Sequence, residues 1–321
     1  MKTTLGAKSE LIVQLDKTAI VISQRSAIDV VDLSLLVMRR YWQSIAFFAF
    51  VGILPFAIMD FVLLWPITQY ESLLIASRDF SGVAIYHFRY LCIVAAIILI
   101  QAPLALSPVT YFIGQAVFIE QPTAKQVFSA VWKRCAAILF ILGILRMSLI
   151  VFIPAVFLFL DPALRLEIEI PLYLFCLCGL VFFIRGFRPY AAEILLLERC
   201  PIRKSKNRQE QLAYGQRSKW LHSSLYHDLF GVHLGVTVVQ VLTALSIAMS
   251  MVFVIGVLTG NWSWGFWMDL FLFPLTIWLV AIWATVIRFL LYMNSRIRTE
   301  GWEIELRLKA EAQRLEELPI W

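Results

Sequence analysis

The sequence predicts an all-α fold, a polytopic membrane helical bundle of six transmembrane helices with its N- and C-termini cytoplasmic. Three observations carry that expectation. The 321 residues are 60% hydrophobic and only 16% charged, with a mean hydropathy of +0.79. Soluble domains sit nearer half apolar and a quarter charged, and a chain this apolar could not cover itself with polar surface. Six apolar runs are long enough to cross hydrocarbon, which takes roughly 17–25 residues at about 1.5 Å each. The loops between them alternate in positive charge from one side to the other.

The first 43 residues read as a cytoplasmic arm. Its opening stretch has no apolar run of signal-peptide length, so insertion is expected to use an uncleaved first helix. Residues 25–42 place Ile28, Val31, Leu35 and Met38 at helical spacing, with Asp29 and Asp32 off that stripe and Arg39 and Arg40 at the end. That pattern predicts an amphipathic helix lying at the interface and turning into the first span. Ser26 is its candidate N-cap.

The predicted spans are 44–65, 90–119, 136–160, 170–186 (apolar on to 197), 229–259 and 266–293, within a transmembrane domain of 44–293. Pro103 and Pro108 predict a kink in the second. Lys125, Lys133 and Arg134 follow that span, and Arg199, Arg203, Lys204, Lys206, Arg208, Arg217 and Lys219 follow the fourth. The opposite loops hold only Arg78 and Arg89, then Arg165, then no base in 260–265. Lys and Arg stay cytoplasmic, so both termini are expected inside, and the net charge of +6 is assigned to these loops rather than to a nucleic-acid surface. Trp65, Trp262, Trp264 and Trp267 fit an outer aromatic belt. Residues 294–321 read as a cytoplasmic helix, with Glu303–Arg307 and Glu305–Lys309 as supporting pairs.

A weak repeat runs through the bundle. GQAVFIEQP (114–122) and AEILLLERCP (192–201) each place a polar residue five positions before a Glu, with a proline soon after. Gln115 and Glu120 anchor the first, Glu193 and Glu198 the second, and Pro122 and Pro201 each open a basic segment leading into another span. Two units pointing the same way suggest parallel repeats about the membrane normal. With the interfacial arm, the Ile53-Leu54-Pro55 of the first span and the exit RFLLYMNSRIRTEGWEIEL, this pattern resembles the uncharacterised bacterial six-helix membrane proteins related to the membrane domain of glycerophosphodiester phosphodiesterases. The resemblance covers about residues 25–306 and implies the topology. No stretch could be the phosphodiesterase barrel, which takes roughly 250 residues, so the activity does not carry over.

Ionisable groups in hydrocarbon cost about 2.5–3.5 kcal/mol on insertion scales and need a partner or a task. Arg146 falls about 15 Å into the third span by the helical rise. Gln101 and Gln240 lie near the same level, and Asp60 lies roughly 24 Å from the inner end. An Asp60–Arg146 ion pair with Gln101 and Gln240 beside it is the expectation, and packing is favoured over a solute path for it. Arg185, Arg188 and Arg288 are candidate contacts for anionic lipid heads, against simple snorkelling. His222, His227 and His233 do not share a helical face, and Ser223-Ser224 has no nucleophile elbow, so no metal, cofactor or catalytic site is expected. The five cysteines read as buried free thiols. The expected function is a non-enzymatic scaffold or assembly partner, with protein partners reached through the arm and the C-terminal helix in addition to the bilayer. The alternative is a transporter or channel for a small or anionic solute around Arg146. Lipid handling by an intramembrane enzyme has the least support.

Overall fold

The computed structural model describes residues 25–76, 80–117, 122–145, 189–202, 212–223, 226–260 and 267–301. Among them every regular element is a helix. They are α1 (Ala27–Ala76), α2 (Phe80–Ala105), α3 (Ser107–Ala116), α4 (Ala124–Ile138, running into a π-helical stretch at Leu139–Leu145), α5 (Ala191–Leu196), α6 (Tyr214–Ser223), α7 (Tyr226–Thr259), a π-helical turn at Met268–Leu272, and α8 (Phe273–Glu300). Most of the predicted third span and all of the fourth up to residue 186 lie outside the described residues, as does the tail beyond 301.

Among the described residues, three helical stretches are long and apolar enough to cross a membrane: Ala27–Val62, Phe230–Thr259 and Met268–Glu300. A fourth arises if Ile93–Ala105 and Ser107–Ala116 are one broken span, bent by 44°. One end of the bundle carries the exposed bases Arg39, Arg40, Lys125, Lys133 and Lys219 and is called its basic end.

α1 starts on a reciprocal cap. The Asp29 N–H donates to Ser26 Oγ at 3.2 Å, while the Ser26 N–H and hydroxyl both donate to Asp29 Oδ2 at 3.1 and 2.7 Å. These bonds occupy donors that the first helical turn would leave open. Arm and span are one continuous element, with a single non-helical residue at Tyr41 (φ −112°, ψ 20°). The buried face of the arm differs from the predicted stripe. Val31 and Met38 of that stripe pack against the core, but Ile28 and Leu35 are 75% and 53% exposed, and Val30, Ser34 and Val37 are the residues fully buried. The last helix selects that face, because the Trp283 indole donates to Ser34 Oγ at 2.8 Å and the Asn294 amide exchanges two 3.1 Å bonds with the backbone of Arg25. A helix apolar on two sides can bury either, and polar partners decide which.

The predicted kink is present at Leu106 (φ −93°, ψ 11°), between the two prolines. Pro108 has no N–H for the Leu104 carbonyl, and the Ser107 hydroxyl takes that place at 2.7 Å. Lipid offers no water to satisfy freed backbone groups, so such substitutes are required. The bend also swings the Ala105 carbonyl against Gly52 of α1, where a Cβ would overlap the oxygen. Gly52 is the residue that lets α1 close on the break. Below it, Phe48 stacks with Phe112 and Phe128 at centroid distances of 5.0 and 5.6 Å, joining α1, α3 and α4.

The two suspected repeat units have the same order of elements. α3 is followed by Pro122 and α4, and α5 by Pro201 and α6, which leads to α7. Their terminal helices pack on each other, and a Cβ on Gly114 of α3 would strike the Leu197 side chain after α5. The Gln126 side chain accepts from the Thr123 N–H at 3.1 Å at the start of α4, and the Tyr214 N–H donates to the Pro201 carbonyl at 2.9 Å at the start of α6.

Gly52→Ala forces a rigid backbone oxygen to move and is expected to destabilise by about 1–3 kcal/mol. Gly235→Ala, on α7 with nothing within 4 Å of the added methyl, is expected to be neutral or slightly stabilising. Thermal unfolding of both variants in detergent checks the contrast.

Candidate functional site

Polar side chains enter the bundle in layers. In the half away from the basic end, Gln101 Nε2 of α2 donates to Asp60 Oδ1 of α1 at 2.6 Å, with both residues buried. Near the start of the last helix, the Tyr90 hydroxyl donates to the Asp269 carbonyl at 2.8 Å within a π-helical turn. The structure thus brings Asp60 and Gln101 together. Gln240 is buried on α7, and Arg146 lies outside the described residues.

The next layer joins Glu193 and Arg288, two residues singled out for different reasons. Glu193 of α5 is fully buried and accepts from Arg288 Nε at 2.7 Å. Arg288 Nη2 also donates to Thr110 Oγ1 at 3.5 Å, and Thr110 donates to the Leu106 carbonyl at the helix break. The guanidinium expected at a lipid head is directed into the protein, where it ties α3, α5 and α8. Gln115 is half-buried near the end of α3, and Glu120, Arg185 and Arg188 lie outside the described residues.

Tyr190 follows. Its hydroxyl is 3.0 Å from Ser295 Oγ and 3.2 Å from His233 Nε2, and its ring stacks on His222 at 5.3 Å. His222 Nδ1 lies 2.6 Å from the Ser218 carbonyl, which only accepts, so that nitrogen carries the proton. The two histidines reach one tyrosine because they lie on different helices, α6 and α7. Spacing along a single helix does not foresee that.

At the basic end four charges close a network. Arg217 of α6 grips Glu198 with two bonds, Nε to Oε2 at 2.5 Å and Nη2 to Oε1 at 2.9 Å, and also pairs with Glu300. Arg296 donates to Glu300 at 2.7 Å and lies 3.6 Å from Glu198. The Tyr292 hydroxyl donates to Glu198 Oε1 at 2.7 Å. Trp220 covers Arg217, with the guanidinium carbon 5.0 Å from its ring centre. Two acids and two bases balance, and their side chains are only 10–19% exposed. The backbone reaches this position through Arg199, whose φ of 55° turns the chain out of α5.

Burial pushes the Glu198 carboxyl up, but the hydrogen bonds from Arg217 and Tyr292 and the charges of Arg296 and Arg217 outweigh it, and the group sits below the ordinary carboxylate range. Arg217 is held above its ordinary value: burial opposes its charge, and Glu198 and Glu300 restore it. Burial and the neighbouring Glu198 push the Cys200 thiol up to about 11, so it stays protonated at neutral pH and is no nucleophile.

Sequence reasoning missed Arg217, Tyr292, Arg296, Glu300, Tyr190 and Ser295. One signal was available: Arg288, Tyr292, Arg296 and Glu300 recur every four residues, which puts them on one helical face. The separation of 19 positions from Glu198 to Arg217 carries no such signal.

Because Glu198 is depressed when folded, its contribution is present above the unfolded value near 4.5 and is lost as pH falls through the lower folded value. The unfolding temperature in detergent is expected to hold steady above about pH 5 and to fall below it, with a shallower fall in Glu198→Gln. Arg217→Met leaves Arg296 alone to neutralise two buried carboxylates and is expected to cost about 3 kcal/mol.

No family model, no curated protein and no solved structure matches this chain.

Proposed function

We propose that the chain is a non-enzymatic integral membrane protein, a scaffold or assembly partner in a bacterial cytoplasmic membrane. It has six spans, and its basic end and both termini face the cytoplasm. What supports this reading is α7. Only 6% of the most apolar window of that helix is buried. It meets the bundle along a narrow seam of His233, Val236, Thr237 and Gln240, while Leu242, Leu245, Met249 and Phe253 are exposed. Gly231 and Gly235 near its start have open space around them. Small residues let a second helix approach closely in a membrane. The charged groups of the last helix are meanwhile occupied by partners inside the chain.

A second reading, transport of a small solute, has one observation in its favour: α2 and α3 form a broken helix with a buried acid nearby. Transporters build midplane sites from discontinuous helices. The relation to the membrane domain of glycerophosphodiester phosphodiesterases belongs to the same proposal, supported by the two helix–proline–helix units.

Leu245→Cys and Phe253→Cys, introduced singly into a chain without native cysteines, are expected to trap a second membrane protein on crosslinking in native membranes. Adducts absent at both positions, with repeated isolation of the lone chain in mild detergent, refute the assembly role. Solute flux in proteoliposomes would then favour transport.

A further inference from the structure

The Asp60–Gln101 pair is incomplete. Asp60 Oδ1 has its hydrogen bond from Gln101 Nε2, but Asp60 Oδ2 and Gln101 Oε1 are buried without a hydrogen-bond partner. Each residue is 5% exposed. An ionised carboxylate and an amide oxygen only accept, so the two orphaned atoms cannot satisfy each other. One hydrogen satisfies both. A protonated carboxyl and a primary amide form a ring of two bonds, N–H to one carboxyl oxygen and O–H from the other to the amide oxygen. Half of that ring is present, and the missing half joins the two orphaned atoms. Turning the amide over leads to the same count. Oε1 would then face Asp60 across 2.6 Å, an ordinary O–H···O distance that two bare acceptors do not hold.

The surroundings point the same way. A carboxylate ionised in hydrocarbon needs a cation. Among the described side chains, the titratable groups on elements packed against α1 are Tyr90 on α2, Tyr111 on α3, Lys125, Lys133, Arg134 and Cys135 on α4 at the basic end, His233 on α7, Asp269 on the π-helical turn, and Arg288, Tyr292, Arg296, Arg298 and Glu300 on α8. Tyr90 is directed to the Asp269 carbonyl, His233 to Tyr190, and Asp269 is a second buried acid. The bases of α8, Arg288, Arg296 and Arg298, lie toward its other end, the first two engaged by Glu193 and by Glu300. Among the described side chains of α1 itself, the bases Arg39 and Arg40 are at the basic end, as are the acids Asp29 and Asp32.

We infer that Asp60 and Gln101 form a proton-binding site inside the membrane, in the half of the bundle away from its basic end, with one proton held between Asp60 Oδ2 and Gln101 Oε1. The site does not depend on the assembly role. It is a place where a proton is held out of water.

Infrared spectra of the full chain in detergent at pH 7, with carbon-13 in its aspartate carboxyls, test this. The expected result is a carboxylic-acid C=O band that shifts in heavy water and is lost in Asp60→Asn. Asn is a neutral isostere, so that variant is expected to keep the wild-type unfolding temperature. Should Asp60→Asn not fold, Gln101→Met serves instead, and the band is expected to move as its hydrogen bond is lost. A spectrum holding only ionised-carboxylate bands overturns the inference. So does an unfolding temperature that rises with sodium in the wild type but not in Asp60→Asn, which would assign the orphaned oxygens to a metal cation.

Discussion

Arg217 between Glu198 and Glu300 is the contact on which the basic end of the bundle depends. Glu198 lies just past the end of α5, Arg217 belongs to α6, and Glu300 closes the last helix. Glu300 comes 83 positions after Arg217, so the pairing ties the consecutive elements α5 and α6 to the distant end of the chain's last helix. A solvated pair would contribute little. Here the groups are mostly buried, the Arg–carboxylate contact is bidentate, and Tyr292 and Arg296 satisfy further lone pairs. Those are the conditions under which a buried ion pair repays its desolvation. With that end tied, the Tyr190 cluster and the Glu193–Arg288 pair stack above it along the inward face of the last helix.

The opposite half obeys a different constraint. Backbone groups freed by a proline have no water to turn to in lipid, so each needs a substitute. The Ser107 hydroxyl serves the Leu104 carbonyl, and the Ala105 carbonyl is brought against the one residue of α1 that lacks a side chain. The break therefore sets where α1 can lie. The same packing presses Asp60 against Gln101, where an acid meets an amide. The two halves thus differ in kind: opposite charges neutralise each other at one end, and at the other a single proton does the same for one carboxyl.

Much of the fold was legible because lipid imposes long-range rules on short-range composition. Apolar length marks the helices long enough to cross a membrane among the described residues, three of them or four with the broken pair, and Pro103 and Pro108 gave the bend at Leu106, since a missing N–H acts within four residues. Ser26 was readable as a cap for the same local reason. The face of the arm was not. Ile28 and Leu35 have the right spacing, yet Ser34 and Val37 are inside, because Trp283 and Asn294, some 250 residues later, choose the side. Of the candidate residues, Asp60 and Gln101 were marked as intramembrane polar groups, Glu193 and Glu198 as anchors of the repeat, and Arg288 as a candidate contact for lipid heads. Their pairings were not readable, and Glu198 finds Arg217 rather than any arginine near it in sequence.

By itself the sequence determined the solvent this protein needs, an all-helical architecture, the positions of breaks and caps, and which polar groups would be costly to bury. These follow from hydropathy, proline chemistry and capping, all of which act within a turn or two of helix. Only the tertiary structure decided which polar groups meet, that α7 lies almost bare against its surroundings, and that the Asp60 carboxyl faces an amide. Such outcomes depend on the relative rotation and depth of helices far apart in the chain, and a rotation of one helix by a single residue exchanges one face for another.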